Sequence, residues 1–365
     1  MHHSGLTMGE LLHSFHGNGR HFSYTRSNIM VSLKDIAVEC GVSIATVSKA
    51  LNNGSDISEA TRERIMAKAK EMGYAPNALA RALKTNRTHN IGVLYTDGAS
   101  SGLTHNFFAA ILDSFKNTVE EQGYDITFIN SSNAGRAGLS YLEHCRYRSF
   151  DGVMIACIDF KEPAVQELLQ STIPLVTIDY PYPGKCSVSS DNTSGIRDLV
   201  RYAYSMGHTR IAYIHGADSR VTRERLKSFH DTLTELNITI PQEYILEAPY
   251  RDAVTTEQAA TQLLSLPVPP TCILCPDDYA CFGVIKLALQ RGIKIGRDIG
   301  LAGYDGILSG FYAGLELTTV QQNTAEIGRL AGTHLIEQIE RKLAPSDLTS
   351  LVPGKLYAGN TIPRL

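Results

Sequence analysis

The stretch Leu33-Lys34-Asp35-Ile36-Ala37-Val38-Glu39-Cys40-Gly41-Val42-Ser43-Ile44-Ala45-Thr46-Val47-Ser48-Lys49-Ala50-Leu51 decides how this chain begins. Ile36, Ala37 and Cys40 form one apolar face of a helix over Leu33–Cys40. Gly41-Val42 makes the turn. Ser43 is a natural N-cap for a second helix over Ile44–Leu51, because its hydroxyl can accept a free backbone N–H at the helix start. Helix, tight turn, helix is the geometry that sets a second helix into the major groove of DNA. Small Ala37 lets the two helices approach closely, and Val47 points back into the pair's core. That leaves Ile44, Ala45, Ser48 and Lys49 on the outer face. Thr46, Ser48 and the helix start at Ser43 can hold phosphate oxygens. Lys49 can donate to guanine, and Ile44 or Ala45 can touch a thymine methyl. The same pattern would also serve a purely structural three-helix module, and geometry alone does not choose between them.

Working outward, Asn52-Asn53-Gly54 stops the second helix. Ser58 can cap a third, with Ile65, Ala69 and Met72 on one face and Gly73 at its end. Residues 76–84 form one more short helical stretch, with Pro76 suited to a first helical position, followed by the polar linker Thr85-Asn86-Arg87-Thr88. A helix of about eight residues is unstable alone in water, so Asn77–Lys84 is expected to be poorly ordered away from DNA. Residues 1–29 carry five of the 12 His without clean periodicity and read as a disordered extension or a mis-called start, with translation beginning at Met30.

Composition bounds the remainder. With 365 residues, 43% hydrophobic and 19% charged, the chain can bury large cores and is neither disordered nor coiled coil. There is no run of about 18 apolar residues to span a membrane and no secretory h-region. Seven widely spread Cys do not form a disulfide framework, so a reducing cytoplasm is the expected setting. The net charge of −3 hides an asymmetry: residues 30–90 hold nine Lys and Arg against six Asp and Glu, while 91–365 are acidic. A polyanion contact at the front is consistent with that, and so is an ordinary solvated helix surface.

From Ile91 short apolar strands alternate with amphipathic helices: Ile91–Tyr95, Asp125–Asn130, Gly152–Cys157, Pro174–Ile178, Arg210–His215, Thr271–Cys275 and Ile299–Gly303. Such alternation over about 250 residues predicts α/β architecture with two doubly wound parallel-sheet lobes. Ligands bind at the carboxyl ends of such strands. Thr96 and Asp97 follow the first strand, and Asp179 follows Leu175-Val176-Thr177-Ile178. Asp277 and Asp278 follow Thr271–Cys275, Asp305 follows Gly303-Tyr304, and Arg225 sits in a helix after Ala217-Asp218-Ser219. Carboxylates accept hydroxyl hydrogens and an Arg fork donates to vicinal oxygens, which suits a polyol. Asp278, before Tyr279-Ala280, reads as a helix N-cap. Cys272-Ile273-Leu274-Cys275 has a CxxC spacing without a second ligand pair, so these thiols read as core and no metal is expected. No phosphate-loop, GxSxG or HExxH motif occurs, so neither an enzyme nor a bound cofactor is expected.

The stretch 31–83 resembles the headpiece of the LacI/GalR family of bacterial transcription repressors. The resemblance rests on Lys34-Asp35-Ile36-Ala37, Gly41-Val42-Ser43, Ala45-Thr46-Val47-Ser48, Leu51-Asn52, Thr61-Arg62, Gly73-Tyr74, Pro76-Asn77, Ala80-Arg81 and Leu83. It implies that Ile44, Ala45 and Lys49 read bases, Lys49 replacing the family's usual Arg. It also implies that the hinge residues Asn77, Ala80, Arg81 and Leu83 enter the minor groove, with Leu83 wedging a base step. Residues 91–360 resemble the family's regulatory core of periplasmic-binding-protein type, through Ile91-Gly92-Val93, Phe107-Phe108, Gly207-His208, Pro276-Asp277-Asp278, Gly303-Tyr304-Asp305 and Leu317-Thr318-Thr319-Val320. The implied effector contacts are Thr96, Asp179, Arg225, Asp277 and Asp305, and Asp97, Phe107 and Arg251 complete the candidate effector set. Two departures are Ser228, where a Gly usually follows the clamp Arg, and Arg251 beside Tyr250, near the position of the ligand-stacking aromatic. A cation at 251 favours an anionic effector such as a sugar phosphate.

The expected organisation is an extension over 1–29, a headpiece over 30–75, a hinge over 76–90 and a core over 91–365. Within the core the N-lobe takes about 91–190 plus 322–346 and the C-lobe about 191–318 plus 350–365. The expected function is a homodimeric transcriptional repressor on a pseudo-palindromic double-stranded operator, controlled by a carbohydrate effector. The alternatives are a nucleobase, a partner phosphoprotein or, with less support, a solute-binding role.

Overall fold

The computed structural model describes residues 31–52, 54, 56–75, 82, 87–96, 102–129, 138–307, 314–340 and 348–365. The sequence expectations for residues 1–29 and for Asn77, Ala80, Arg81, Leu83 and Asp97 lie outside the described residues. The chain divides into two compact units, Met1–Ala80 and Arg81–Leu365, and each is taken by itself.

The first unit contains α1 (Leu33–Cys40), α2 (Ile44–Leu51) and α3 (Glu59–Glu71). Each starts on a serine: Ser32, Ser43 and Ser58 accept the N–H groups of Asp35, Thr46 and Thr61. Asp35 returns the bond to the Ser32 backbone in a capping box. Gly41, at φ 63°, supplies the left-handed residue that turns α1 into α2. The core is small: Ile36, Ala37, Cys40, Val47, Ala50, Ile65 and Ala69. With so little apolar surface buried, three caps worth about 1 kcal/mol each are a large share of the unit's stability.

The second unit runs β1 (Asn90–Tyr95), α4 (Asn106–Glu120), β2 (Asp125–Phe128), α5 (Tyr141–Arg148), β3 (Gly152–Ala156), α6 (Pro163–Gln170), β4 (Leu175–Ile178) and β5 (Cys186–Ser190). It continues with α7 (Asn192–Ser205), β6 (Ile211–His215), α8 (Arg220–Glu235), β7 (Ile245–Glu247), α9 (Ala253–Leu264), β8 (Cys272–Leu274), α10 (Cys281–Arg291) and β9 (Gly300–Ala302). The last elements are β10 (Thr319–Gln321), α11 (Thr324–Ile339), β11 (Thr349–Val352) and β12 (Lys355–Tyr357). One parallel sheet has the order β11-β5-β4-β3-β1-β2, and a second has β7-β6-β8-β9.

Both sheets are covered on both faces, as parallel sheets require. In the first lobe, Ile91 and Val93 face α4 and α11 through Ile111, Phe115, Ile327 and Leu335. Leu94 joins the opposite core with Leu142, Val165 and Leu168 of α5 and α6. In the second lobe, Ile211 and Tyr213 face α7 and α8, while Ala212 and Ile214 face α9 and α10. Successive strand residues therefore go to opposite cores, the period-two consequence of the pleat.

The chain passes between lobes at three places: β5 into α7, β10 into α11, and β11 into β12. The crossings are bonded side by side. Asp191 N–H donates to Val352 O at 2.9 Å, and the Ser190 hydroxyl donates to Gln322 Oε1. The sequence reading missed β5, β7, β10, β11 and β12. Residues 186–190 read Cys-Ser-Val-Ser-Ser, without an apolar run, and the other four strands are only three or four residues long.

Candidate functional site

Helix α2 is arranged as its sequence pattern requires. Val47 and Ala50 are buried, Ile44 is 50% exposed, and Ser43, Ala45 and Lys49 are exposed. Thr46 and Ser48 are half-buried. The Thr46 hydroxyl is bonded to Ser43 Oγ at 2.8 Å, so it is part of the cap that starts the helix. Lys49, expected on the outer face as a guanine donor, is on that face and donates its Nζ to Asp56 at 2.9 Å. Both partners are solvent-exposed, so exchanging Asp56 for another acceptor costs well under about 1 kcal/mol.

A cavity of about 700 Å³ lies between the two lobes at the carboxyl ends of both parallel sheets. Thr96, Phe107, Asp179, Arg225, Arg251, Asp277 and Asp305 all line it. The strand ends reach it through unusual backbone. Of the seven described non-glycine residues at positive φ, four line the cavity: Cys157 (53°), Asp179 (57°), Arg251 (60°) and Asp305 (101°). Side chains rarely occupy this region, and such strain gathers where a chain must aim groups into a site.

Arg225 is a deeply buried cation, 3% exposed. Its Nε donates to Asn192 Oδ1 at 2.9 Å, Nη1 donates to Pro276 O at 3.0 Å, and the guanidinium lies 3.5 Å over the ring of Tyr304. Tyr304 fits because Gly195 in α7 has no side chain: a Cβ there would overlap the Tyr304 hydroxyl. Ser228, replacing the Gly expected after the clamp arginine, is buried and donates to Thr193 O at 2.7 Å, tying α8 to α7.

The carboxylates face opposing influences. Burial pushes the Asp179 carboxyl up to about 6, against the pull of the Ser190 N–H at 3.0 Å and the Arg225 charge. Burial also raises Asp305 well above the usual carboxylate range, against the field of Arg225. Asp277 is raised by burial too, but Oδ2 accepts from Arg251 N–H at 2.7 Å and Oδ1 from Ala280 N–H at 2.8 Å. Asp277 is thus a brace for two wall segments. It takes the place at the start of α10 that was expected of Asp278, which is buried and instead accepts from the Thr319 hydroxyl at 2.6 Å.

A hydrogen-bonded chain joins the two lobes' acids. Asp179 Oδ1 holds Ser190 N–H, the Ser190 hydroxyl meets Gln322 Oε1, and Gln322 Nε2 donates to Asp305 Oδ1 at 2.6 Å. Its two middle residues sit on interlobe crossings. Sequence reasoning missed Gln322, because its value comes only from the fold. It also missed the aromatic wall. Phe160 and Tyr180 stack in parallel, with centroids 4.0 Å apart and planes 1° apart, and Tyr250 bonds Thr222 Oγ1 at 2.9 Å. Gly216 could have signalled Tyr250, since a side chain there would occupy the ring's place. All seven cysteines are free, and six are buried. No cluster of three or more metal-ligating side chains occurs, and no helix is long and apolar enough to cross a membrane, among the described residues.

Comparison with known proteins adds a family. Residues 32–77 match the model of bacterial regulatory proteins of the lacI family, and residues 200–362 match that of the periplasmic binding protein-like domain. The chain is 32% identical over 318 residues to the HTH-type transcriptional repressor PurR of Vibrio vulnificus (strain CMCP6), covering 86% of this chain and 93% of that protein. It is 31% identical over 336 residues to the ribose operon repressor of Escherichia coli (strain K12), covering 91% and 100%. In fold it is similar to the lac repressor dimer bound to operator and the anti-inducer ONPF, with a TM-score of 0.76, 24% identity, and coverage of 91% of this chain and 99% of that one.

Proposed function

Because the chain belongs to the lacI family of bacterial regulatory proteins, we propose that it is a transcriptional repressor whose hold on a pseudo-palindromic operator is set by a small polar effector in the interlobe cavity. Two copies present two reader helices to the two half-sites, so the twofold symmetry of the dimer mirrors that of the operator. Ser43, Thr46 and Ser48 contact phosphates, and Ile44, Ala45 and Lys49 reach base edges. The hinge over 76–90 pairs with its counterpart only on DNA, with Leu83 as wedge.

The observation that carries the reading is the chain Asp179–Ser190–Gln322–Asp305. It joins an acid of each lobe through two interlobe crossings. An effector that engages both acids biases the lobe angle, and a changed lobe angle is felt wherever the crossings lead. Affinity for effector and operator are then coupled reciprocally. A carbohydrate or carbohydrate derivative fits the acids and the Arg225 fork. A nucleobase is the second reading, favoured by the flat Phe160–Tyr180 wall and by similarity to repressors named PurR.

The test is an operator selection from random duplexes, with and without a library of sugars, sugar phosphates and purines. Salt-dependent enrichment of a palindrome that one compound strengthens or weakens supports the reading. Failure to enrich any duplex removes it.

A further inference from the structure

Arg251 is a cavity-lining cation with an unpartnered side-chain nitrogen. Its backbone holds φ 60°, pinned by the N–H bond to Asp277 Oδ2 at 2.7 Å, and its guanidinium lies 4.3 Å over the ring of Tyr279. The other two arginines of the cavity are provided for: Arg225 by Asn192 and Pro276, and Arg220 by Glu224 at 2.7 Å. Among the described residues no carboxylate pairs with Arg251 or with Arg225; what sets Arg251 apart from the other two is an Nη1 without any hydrogen-bond partner. Asp277 gives one oxygen to each of two backbone N–H groups, Asp305 accepts from Gln322, and Asp179 accepts from Ser190. Arg251 has no ion pair among the described residues, and its Nη1 is shut off from water without a hydrogen-bond partner. A left-handed backbone thus holds a half-buried guanidinium with one unpartnered nitrogen at a cavity wall.

We propose that the effector carries an oxyanion, a phosphate monoester or a carboxylate, and that Arg251 binds it while the hydroxyl-bearing body lies toward Asp179, Asp305 and Arg225. This rests on the reading of the cavity as the effector site. The resting side chain leaves Nη1 dry and unpaired, so any rotation that brings it to an acceptor in the cavity gains a hydrogen bond. A neutral hydroxyl accepts one N–H and leaves the charge standing. An oxyanion accepts two in a fork and cancels the charge in a poorly solvated place.

The experiment uses the full chain and thermal unfolding at matched ionic strength in chloride, inorganic phosphate, gluconate, ribose and hypoxanthine. At about ten times the dissociation constant, phosphate or gluconate is expected to raise the midpoint by about 2 °C over chloride. That rise disappears in Arg251→Gln and survives in part in Arg251→Lys. The basic residues of the headpiece are the same in all three proteins, so anion uptake there cancels. Protection by only one of the two anions names the group. If neither anion protects the unaltered protein beyond chloride, or if Arg251→Gln keeps the full rise, the proposal is overturned, and the first comparison needs no variant to fold. Protection by ribose or hypoxanthine alone would overturn the anion role and leave the effector site standing.

Discussion

Helix α2 and the interlobe cleft present their candidate contact groups by opposite means. On α2 the side chains proposed to meet DNA stand on the outside of one short helix, with Ile44 half exposed and Lys49 in an exposed ion pair. Everything they need is local: a serine cap, a left-handed glycine, and Val47 pointing inward. In the cleft the working groups come from strand ends up to about two hundred residues apart, are buried or half-buried, and change one another's proton affinity. Exposed groups work through display, and apart from the helix caps their individual removal costs little stability. Buried charges are held by neighbours, and removing one leaves the others unsatisfied.

The sharpest way to break that contrast is Arg225→Ala. It strands Asn192 Oδ1, Pro276 O and the Tyr304 ring face. Denaturant unfolding is expected to show a loss of about 3 kcal/mol, together with loss of any effector-induced shift. A variant as stable as its parent would mean that the cleft behaves like surface. Next is Leu83→Ala, a hinge change outside the described residues. Titration of labelled duplex is expected to show operator affinity at least about tenfold weaker at unchanged thermal midpoint; unchanged affinity would remove the wedge.

Asp179→Asn tests the buried side through pH. With its carboxyl pushed up to about 6, Asp179 binds a proton more tightly folded than unfolded. It therefore lowers stability as pH rises from the ordinary aspartate range through about 6. Asparagine removes that loss, so the variant should gain on the parent between pH 5 and pH 7.5. The gain is on the order of 1 kcal/mol, limited by water at a half-buried site. A difference that is flat with pH would sink the assignment. Ser43→Ala should cost the headpiece about 1 kcal/mol by calorimetry, through the lost cap on Thr46 N–H. The smallest effect is expected from Lys161→Ala. This removes an exposed 3.7 Å pair with Asp218 across the cleft mouth and should change the unfolding free energy, read by denaturant titration, by less than about 0.5 kcal/mol, the difference vanishing in high salt.

The same contrast explains what could be read in advance. The three headpiece helices and the Ser43 and Ser58 caps follow from spacing, because a helix places its partners three and four residues away. Strands with apolar runs, such as Gly152–Ala156, were legible. The five-residue strand Cys186–Ser190 was not, because its place in the sheet comes from neighbours β4 and β11. Thr96, Asp179, Asp277 and Asp305 could be named from their positions near strand ends, and Arg225 from its place in the helix after Ala217-Asp218-Ser219. That Asp277 braces the wall while Asp278 meets Thr319 could not, since both acids sit at the same strand end.

By itself the sequence determined the helical headpiece, its capping and outward-facing residues, and the alternation of strands and helices, all of which are effects of neighbours within one or two turns. Only the tertiary structure decided the three crossings between lobes, the Phe160–Tyr180 wall, the link from Asp179 to Asp305 and the unpartnered Nη1 of Arg251. These depend on which distant groups share a poorly hydrated space. There desolvation and unmet hydrogen bonds outweigh local preference.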